Sequence, residues 1–127
     1  MIPLRYRRLW LALSVALVGA ILYSSLAPSL ALPTPEGFDK IEHFTAYCGL
    51  ALWFTGLYPR ARYWQVVTGL LALGLGVEIA QGAMQLGRSA ELFDMVANAA
   101  GVGVGLLLAL ALTGGWAHRF ETWLVRR

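Results

Sequence analysis

The sequence predicts an all-α integral membrane protein: a bundle of four transmembrane helices followed by a short C-terminal interfacial amphipathic helix. The chain of 127 residues is 58% hydrophobic and only 13% charged, whereas soluble domains carry about 25% charged residues. Four apolar segments are long enough to cross a bilayer, which takes about 20 residues. Short connections predict antiparallel neighbours, so residues 1–127 are expected to form a single domain.

The predicted helices lie near residues 9–32, 41–58, 63–86 and 92–113, and the tail covers 114–127. The first segment is longer than the hydrophobic region of a cleaved signal peptide, so we interpret it as a membrane helix. In the tail, Trp116, Phe120, Trp123 and Leu124 share one helical face, and the charged residues lie elsewhere. This pattern is typical of a helix on the anionic cytoplasmic leaflet.

The distribution of arginine and lysine predicts the orientation in the membrane. Eight of the ten basic residues fall on one side of a four-helix topology. They are Arg5, Arg7 and Arg8 before helix one, Arg60 and Arg62 between helices two and three, and Arg119, Arg126 and Arg127 after helix four. Because basic residues mark cytoplasmic ends, both termini are expected in the cytoplasm. This role also accounts for the net charge of +3, so no nucleic-acid partner is expected.

Polar residues converge on the outer half of the predicted bundle. They are Asp39, Lys40, His43 and Tyr47 on helix two, Glu78 and Gln81 on helix three, Arg88 in the following loop, and Asp94 and Asn98 on helix four. The spacings of the pairs on helices three and four place each pair on one helical face. The sequence therefore predicts an outward-facing polar site built from three segments.

Three of these residues are candidates for acid–base chemistry. Glu78 lies deep in its apolar segment, where a carboxylate costs about 2.5–3.5 kcal/mol and must face protein or water. Glu78 and Asp94 would supply acid or base groups, and His43 could transfer protons near neutral pH. A structural network of ion pairs is the alternative.

The other polar residues are candidates for substrate binding. Lys40 and Arg88, together with the positive ends of helices two and four, would attract a phosphate or carboxylate. The remaining binding candidates are Gln81, Asn98, Tyr47 and Asp39. Each of these also has a structural interpretation. Asp39 and Glu42 fit a helix capping box, and Gln81 and Asn98 could hydrogen-bond between helices.

No cofactor is expected, and no metal, because no local motif such as HExxH is present. A metal variant of the site would use His43, Glu78 and Asp94 as ligands. The glycines of helix four have a packing role instead. Gly101 and Gly105 belong to a small-xxx-small pattern, which predicts close approach to a neighbouring helix.

The polar residues also resemble the VanZ-like membrane proteins. That family shows D-K-x-x-H-F-x-x-Y, then E-x-x-Q, an arginine some seven residues on, and D-x-x-x-N-x-x-G-x-x-x-G. The matching residues are Asp39, Lys40, His43, Phe44, Tyr47, Glu78, Gln81, Arg88, Asp94, Asn98, Gly101 and Gly105. The resemblance implies a small protein of the bacterial cytoplasmic membrane. The family's namesake is associated with resistance to the glycopeptide antibiotic teicoplanin.

Three functions remain open from the sequence, and a fourth, transport, is less favoured because four helices give little room for alternating access. The first is a hydrolase or transferase that acts on a lipid-linked envelope substrate. The second is a non-catalytic binder of an envelope lipid or cell-wall precursor headgroup. The third is a structural or partner subunit whose polar residues only fix helix packing. The expected partners are the lipid bilayer and such a headgroup, and an oligomer is possible.

Overall fold

The computed structural model describes residues 1–27, 37–84 and 92–126, and these parts of the chain are helical, without strands. Its helices are α1 (Arg7–Leu26), α2 (Phe38–Leu57), α3 (Tyr63–Met84), α4 (Leu92–Leu108) and α5 (Trp116–Val125). A 3-10 turn, Arg60–Arg62, connects α2 to α3, and a π-helical segment, Ala109–Thr113, extends α4. The all-α prediction is confirmed for the described residues.

The start of α2 differs from the capping box that the sequence predicts. Gly37 precedes the helix in the left-handed conformation, with φ of 79°, and the cap position makes no side-chain hydrogen bond. Glycine adopts this conformation without the steric cost of a Cβ atom. The helix therefore begins at Phe38, and Asp39 lies inside its first turn. The capping-box interpretation of Asp39 and Glu42 is wrong.

Three helical segments are long and apolar enough to cross a membrane: Arg7–Leu26, Arg60–Met84 and Leu92–Thr113. Large apolar side chains such as Val15, Ile79 and Leu107 are exposed on them, which is compatible with a membrane location. Helix α2 is 20 residues long but opens with several ionisable residues. It does not belong to this apolar set, so the fourth span stays a prediction. The predicted helix ends near residues 32 and 86 lie outside the described residues.

The most extensive helix contact joins α2 to α4. Two glycines of α4 permit it. A Cβ atom on Gly101 would collide with the backbone oxygen of Phe44, and one on Gly105 would lie 2.7 Å from the backbone oxygen of Cys48 and from Ala51 Cβ. The two backbones are therefore nearly in contact, and the predicted small-residue packing is confirmed at these glycines.

Helix α5 folds back against the end of the bundle opposite the polar cluster. The π-helical segment after α4 ends at Thr113, and Gly115, with φ of 70°, turns the chain into α5. The Trp116 ring nitrogen donates a hydrogen bond of 3.0 Å to the backbone oxygen of Leu52. The Trp116 ring also packs on Trp10 and Trp53, with ring centroids 5.4 and 5.5 Å away. The tail is therefore docked through one face, while its interfacial location stays a prediction.

A buried carboxylate attaches α5 to the beginning of α1. Glu121 accepts hydrogen bonds from the backbone N–H groups of Arg5 (2.8 Å) and Tyr6 (3.0 Å) and from the indole of Trp10 (2.7 Å). Burial by itself would raise the pKa of Glu121, but these hydrogen bonds hold it below its ordinary value of 4.5. Glu121 thus satisfies donors at the start of α1, a place where helices leave backbone N–H groups unpaired.

Candidate functional site

The predicted acid–base residues meet at the junction of α2, α3 and α4. His43 lies at the centre, with its Nδ1 atom 3.9 Å from Glu78 Oε1 and its Nε2 atom 3.8 Å from Asp94 Oδ2. The exposed fractions of the His43, Glu78 and Asp94 side chains are 8%, 4% and 8%. Three separate helices thus bring an imidazole and two carboxylates together in a nearly solvent-free interior.

The fold explains how each of these groups reaches the cluster. Asp94 lies in the first turn of α4, where the positive end of the helix dipole favours a carboxylate. Glu78 lies further from the helix end on α3, beside the buried Val77. His43 and Tyr47 are one turn apart on the buried face of α2. Close packing of α2 on α4 then places His43 beside the start of α4.

Asn98 holds the imidazole from the side of α4. Its Oδ1 atom lies 3.0 Å from His43 Nδ1. An amide oxygen can only accept a hydrogen bond, so this contact assigns the proton to Nδ1 and leaves Nε2 unprotonated in neutral His43. Gly74 of α3 makes room for this arrangement. A Cβ atom there would lie 3.0 Å from Asn98 Nδ2 and 3.4 Å from the Tyr47 ring.

Lys40 contributes positive charge at the outer edge of the cluster. Its Nζ atom lies 2.9 Å from Asp39 Oδ2 and 3.4 Å from Asp94 Oδ1. The Lys40 and Asp39 side chains are 34% and 48% exposed, so this pair lies at the boundary with the surroundings. Arg88, the other cation that the sequence assigns to the site, lies outside the described residues.

Gln81 makes the hydrogen bond between helices that its structural interpretation predicts. It is buried on α3, and its Nε2 atom donates a hydrogen bond of 2.9 Å to the backbone oxygen of Ser25 near the end of α1. This bond attaches α1 to the cluster. No site residue was predicted on the first helix. The adjacent Ser24 and Ser25, two polar residues in an apolar segment, were the available signal.

Several buried polar atoms around the cluster make no hydrogen bond within the described part of the chain. They include the Tyr47 hydroxyl, Gln81 Oε1 and Asn98 Nδ2. More than about 90% of buried polar groups in proteins have a partner. These atoms lie beside three ionisable side chains, where they could form hydrogen bonds with a further polar group.

Two grooves flank the cluster. The larger, a cavity of about 490 Å³ between α1 and α2, combines His43, Glu42 and two serines with apolar side chains. Its lining consists of Ile21, Ser24, Ser25, Phe38, Ile41, Glu42, His43, Thr45, Ala46 and Tyr47. The smaller, about 310 Å³ between α3 and α4, is mostly apolar and is lined in part by Asn98. The larger groove therefore joins an apolar surface to the buried imidazole.

The cluster could also hold a cation. His43, Glu78 and Asp94 each offer one ligand atom, and these atoms all lie within 4.8 Å of one another. An imidazole with two carboxylates suits acid–base chemistry as well as metal coordination. The residues that the sequence expected for proton transfer are thus also the ones that could bind a metal.

No family model, curated protein or solved structure matches this chain. The resemblance to VanZ-like proteins rests on the motif residues alone and stays a prediction.

Proposed function

We propose that this is a four-span, VanZ-like protein of the bacterial cytoplasmic membrane, with both termini in the cytoplasm. We further propose that it binds the headgroup of an envelope lipid or lipid-linked cell-wall precursor at the cluster of His43, Glu78 and Asp94. One observation carries the proposal. The groove between α1 and α2 combines apolar side chains with His43, which belongs to that buried cluster.

The chemistry of the groove matches a lipid. Ile21, Ile41 and Phe38 provide an apolar surface for an acyl chain, while Ser24 and Ser25 provide hydroxyl groups near the polar end. Binding sites combine mostly apolar walls with a few placed polar groups in this way. Ionisable side chains within membrane helices are also functional candidates by default, because their burial is costly.

The same geometry suits hydrolysis or transfer of the headgroup. A neutral His43 with its proton on Nδ1 can accept a proton at Nε2, and Asp94 and Glu78 lie close enough to stabilise the resulting cation. The bond from Gln81 to Ser25 favours the alternative, a packing network in a partner subunit. A measurement of lipid binding distinguishes the headgroup site from the packing network, since a packing network requires no ligand.

The topology predicts opposite membrane sides for the two ends of α2. In a Cys48→Ala background, Glu36→Cys should react with a membrane-impermeant maleimide added to intact cells. Ala61→Cys, in the exposed turn after α2, should react only after the membrane is opened. Labelling of both cysteines in intact cells would show that α2 does not cross the membrane.

Filling the groove should abolish lipid retention. Ala46→Trp places a large ring in the groove without altering an ionisable residue. We expect the amount of envelope lipid that copurifies with the protein, measured by mass spectrometry, to fall on the order of tenfold, equivalent to about 1.4 kcal/mol. Ala100→Trp, at an exposed position of α4, is the matched control and should retain lipid. Equal retention by both variants, with equal melting temperatures, would contradict the proposal.

A further inference from the structure

We propose that His43, Glu78 and Asp94 bind a divalent transition-metal ion, represented by Zn²⁺, which provides the positive charge for holding an anionic headgroup. The role of the ion rests on the proposed function, whereas the metal site itself rests on the geometry of the cluster. The sequence predicted no metal, because the three ligands form no local motif such as HExxH.

The three ligand atoms lie close together, although farther apart than around a bound zinc ion. All three lie within 4.8 Å of one another, and His43 Nε2 is 3.8 Å from Asp94 Oδ2. Around Zn²⁺, with bonds of about 2.0–2.2 Å, tetrahedral ligand atoms are separated by about 3.3–3.6 Å. Coordination at Nε2 therefore requires the side chains to move closer together. Glu78 Oε1, which lies 3.9 Å from His43 Nδ1, must turn towards Nε2. Three protein ligands also leave a coordination position for water or substrate, as catalytic zinc sites do.

A second observation concerns the orientation of the imidazole. Asn98 Oδ1, on a side chain that is 2% exposed, accepts the Nδ1 proton of His43 at 3.0 Å. Metal-binding histidines are usually held through their other ring nitrogen in this way, which fixes the tautomer and directs the free lone pair at the metal. Nε2, the nitrogen that this contact leaves free, is the one that faces Asp94.

The charge of the cluster favours a cation over an anion. Glu78 and Asp94 are both buried, and Lys40 is shared between Asp94 at 3.4 Å and Asp39 at 2.9 Å. Carboxylates outnumber basic side chains in the described part of the site, so a phosphate entering it would be repelled. A divalent ion between the carboxylates would compensate their charge and could accept a phosphate oxygen as a further ligand.

The types of ligand atom indicate which metals to test. One imidazole nitrogen and two carboxylate oxygens suit Zn²⁺ or Mn²⁺, whereas Ca²⁺ and Mg²⁺ prefer ligand sets made of oxygen alone. Zn²⁺ is therefore the first probe, with Mn²⁺ and Ca²⁺ in parallel.

The experiment measures Zn²⁺ binding to the full chain in detergent after removal of metals with a chelator. Elemental analysis after dialysis should give one Zn²⁺ per chain, and the melting temperature should rise with the Zn²⁺ concentration. Glu78→Gln and Asp94→Asn should each weaken Zn²⁺ binding by about 100-fold or more. Glu121→Gln makes the same chemical change at a buried carboxylate elsewhere in the fold and should retain the metal.

The melting temperature without metal shows whether the variants fold. Glu78→Gln removes one of two neighbouring negative charges, so metal-free protein should melt at or above the temperature of the wild type. No bound Zn²⁺ in the wild type would overturn the inference. Equal binding by the ligand variants, or preference for Ca²⁺ over Zn²⁺, would also overturn it.

Lipid retention with and without chelator separates this inference from the proposed function. Loss of lipid on chelation supports both. Zn²⁺ binding without any lipid retention would support the metal site and contradict the proposed function. Lipid retention without Zn²⁺ binding would contradict the metal site alone. If Zn²⁺ binds but chelation does not change lipid retention, the metal site is supported and the role assigned to the ion is overturned.

Discussion

Gly101→Val should lower the free energy of unfolding by about 3 kcal/mol or more, measured by thermal unfolding in detergent together with size-exclusion chromatography. Overpacking costs about 1–3 kcal/mol where side chains can give way. At Gly101 the obstacle is backbone: a Cβ atom would meet the Phe44 oxygen and lie 3.0 Å from the Cys48 nitrogen. The clash of the new side chain with this backbone can be relieved only if α2 and α4 separate.

Gly103→Val is the matched control. It lies on the same helix and undergoes the same change, but nothing lies within 4 Å of the position its Cβ atom would occupy. The cost of valine in a helix is therefore common to both variants. Equal melting temperatures would show that the α2–α4 contact does not hold the bundle together.

The same contact determines the geometry of the candidate site. Asn98 lies about one turn before Gly101 on α4, and His43 lies next to Phe44 on α2. Any separation of the two helices at Gly101 should therefore lengthen the 3.0 Å contact between His43 and Asn98. A folded Gly101→Ala variant should lose Zn²⁺ binding for this reason, even though no ligand is changed.

Helical periodicity explains why the sequence predicted much of this site. Asp94 and Asn98 are one turn apart on one face, and the glycines of α4 continue along the helix towards its other end. Alternation of direction between successive helices then brings the ends carrying His43, Glu78 and Asp94 to the same side. The convergence of these three residues is confirmed by the distances between them.

Features that depend on backbone conformation or on contacts distant in sequence were not predictable in this way. The start of α2 depends on the left-handed Gly37, which a pattern of side chains does not show. The hydrogen bond between Gln81 and Ser25 could be predicted only from the packing of α1 on α3. Glu121 was assigned only to the charged side of the tail helix, because its backbone donors lie at the other end of the chain.

Glu121→Ala should undock α5 and destabilise the protein by about 3 kcal/mol or more. The change removes the acceptor of three hydrogen bonds, from the Arg5 and Tyr6 backbones and the Trp10 indole. A hydrogen bond to a charged group contributes about 1.5–3 kcal/mol, and one of the three donors, the Trp10 indole, is buried. Thermal unfolding and tryptophan fluorescence would measure the effect, since Trp10 packs on Trp116. Thr122→Ala is the control. In the described part of the chain, its half-buried hydroxyl bonds only to the backbone oxygen of His118 in its own helix, so stability and fluorescence should stay near the wild-type values.

The pH dependence of stability provides an independent test of the same contact. Because hydrogen bonds lower the pKa of Glu121 in the folded state, the ionised form binds its donors better than the protonated form does. The stabilisation is therefore fully present above the ordinary pKa of 4.5 and disappears as the pH falls through the lower, folded-state pKa. As the pH falls from about 5 to about 3, the melting temperature of the wild type should therefore fall more steeply than that of Glu121→Gln. Parallel curves would show that the Glu121 carboxylate does not hold α5 against α1.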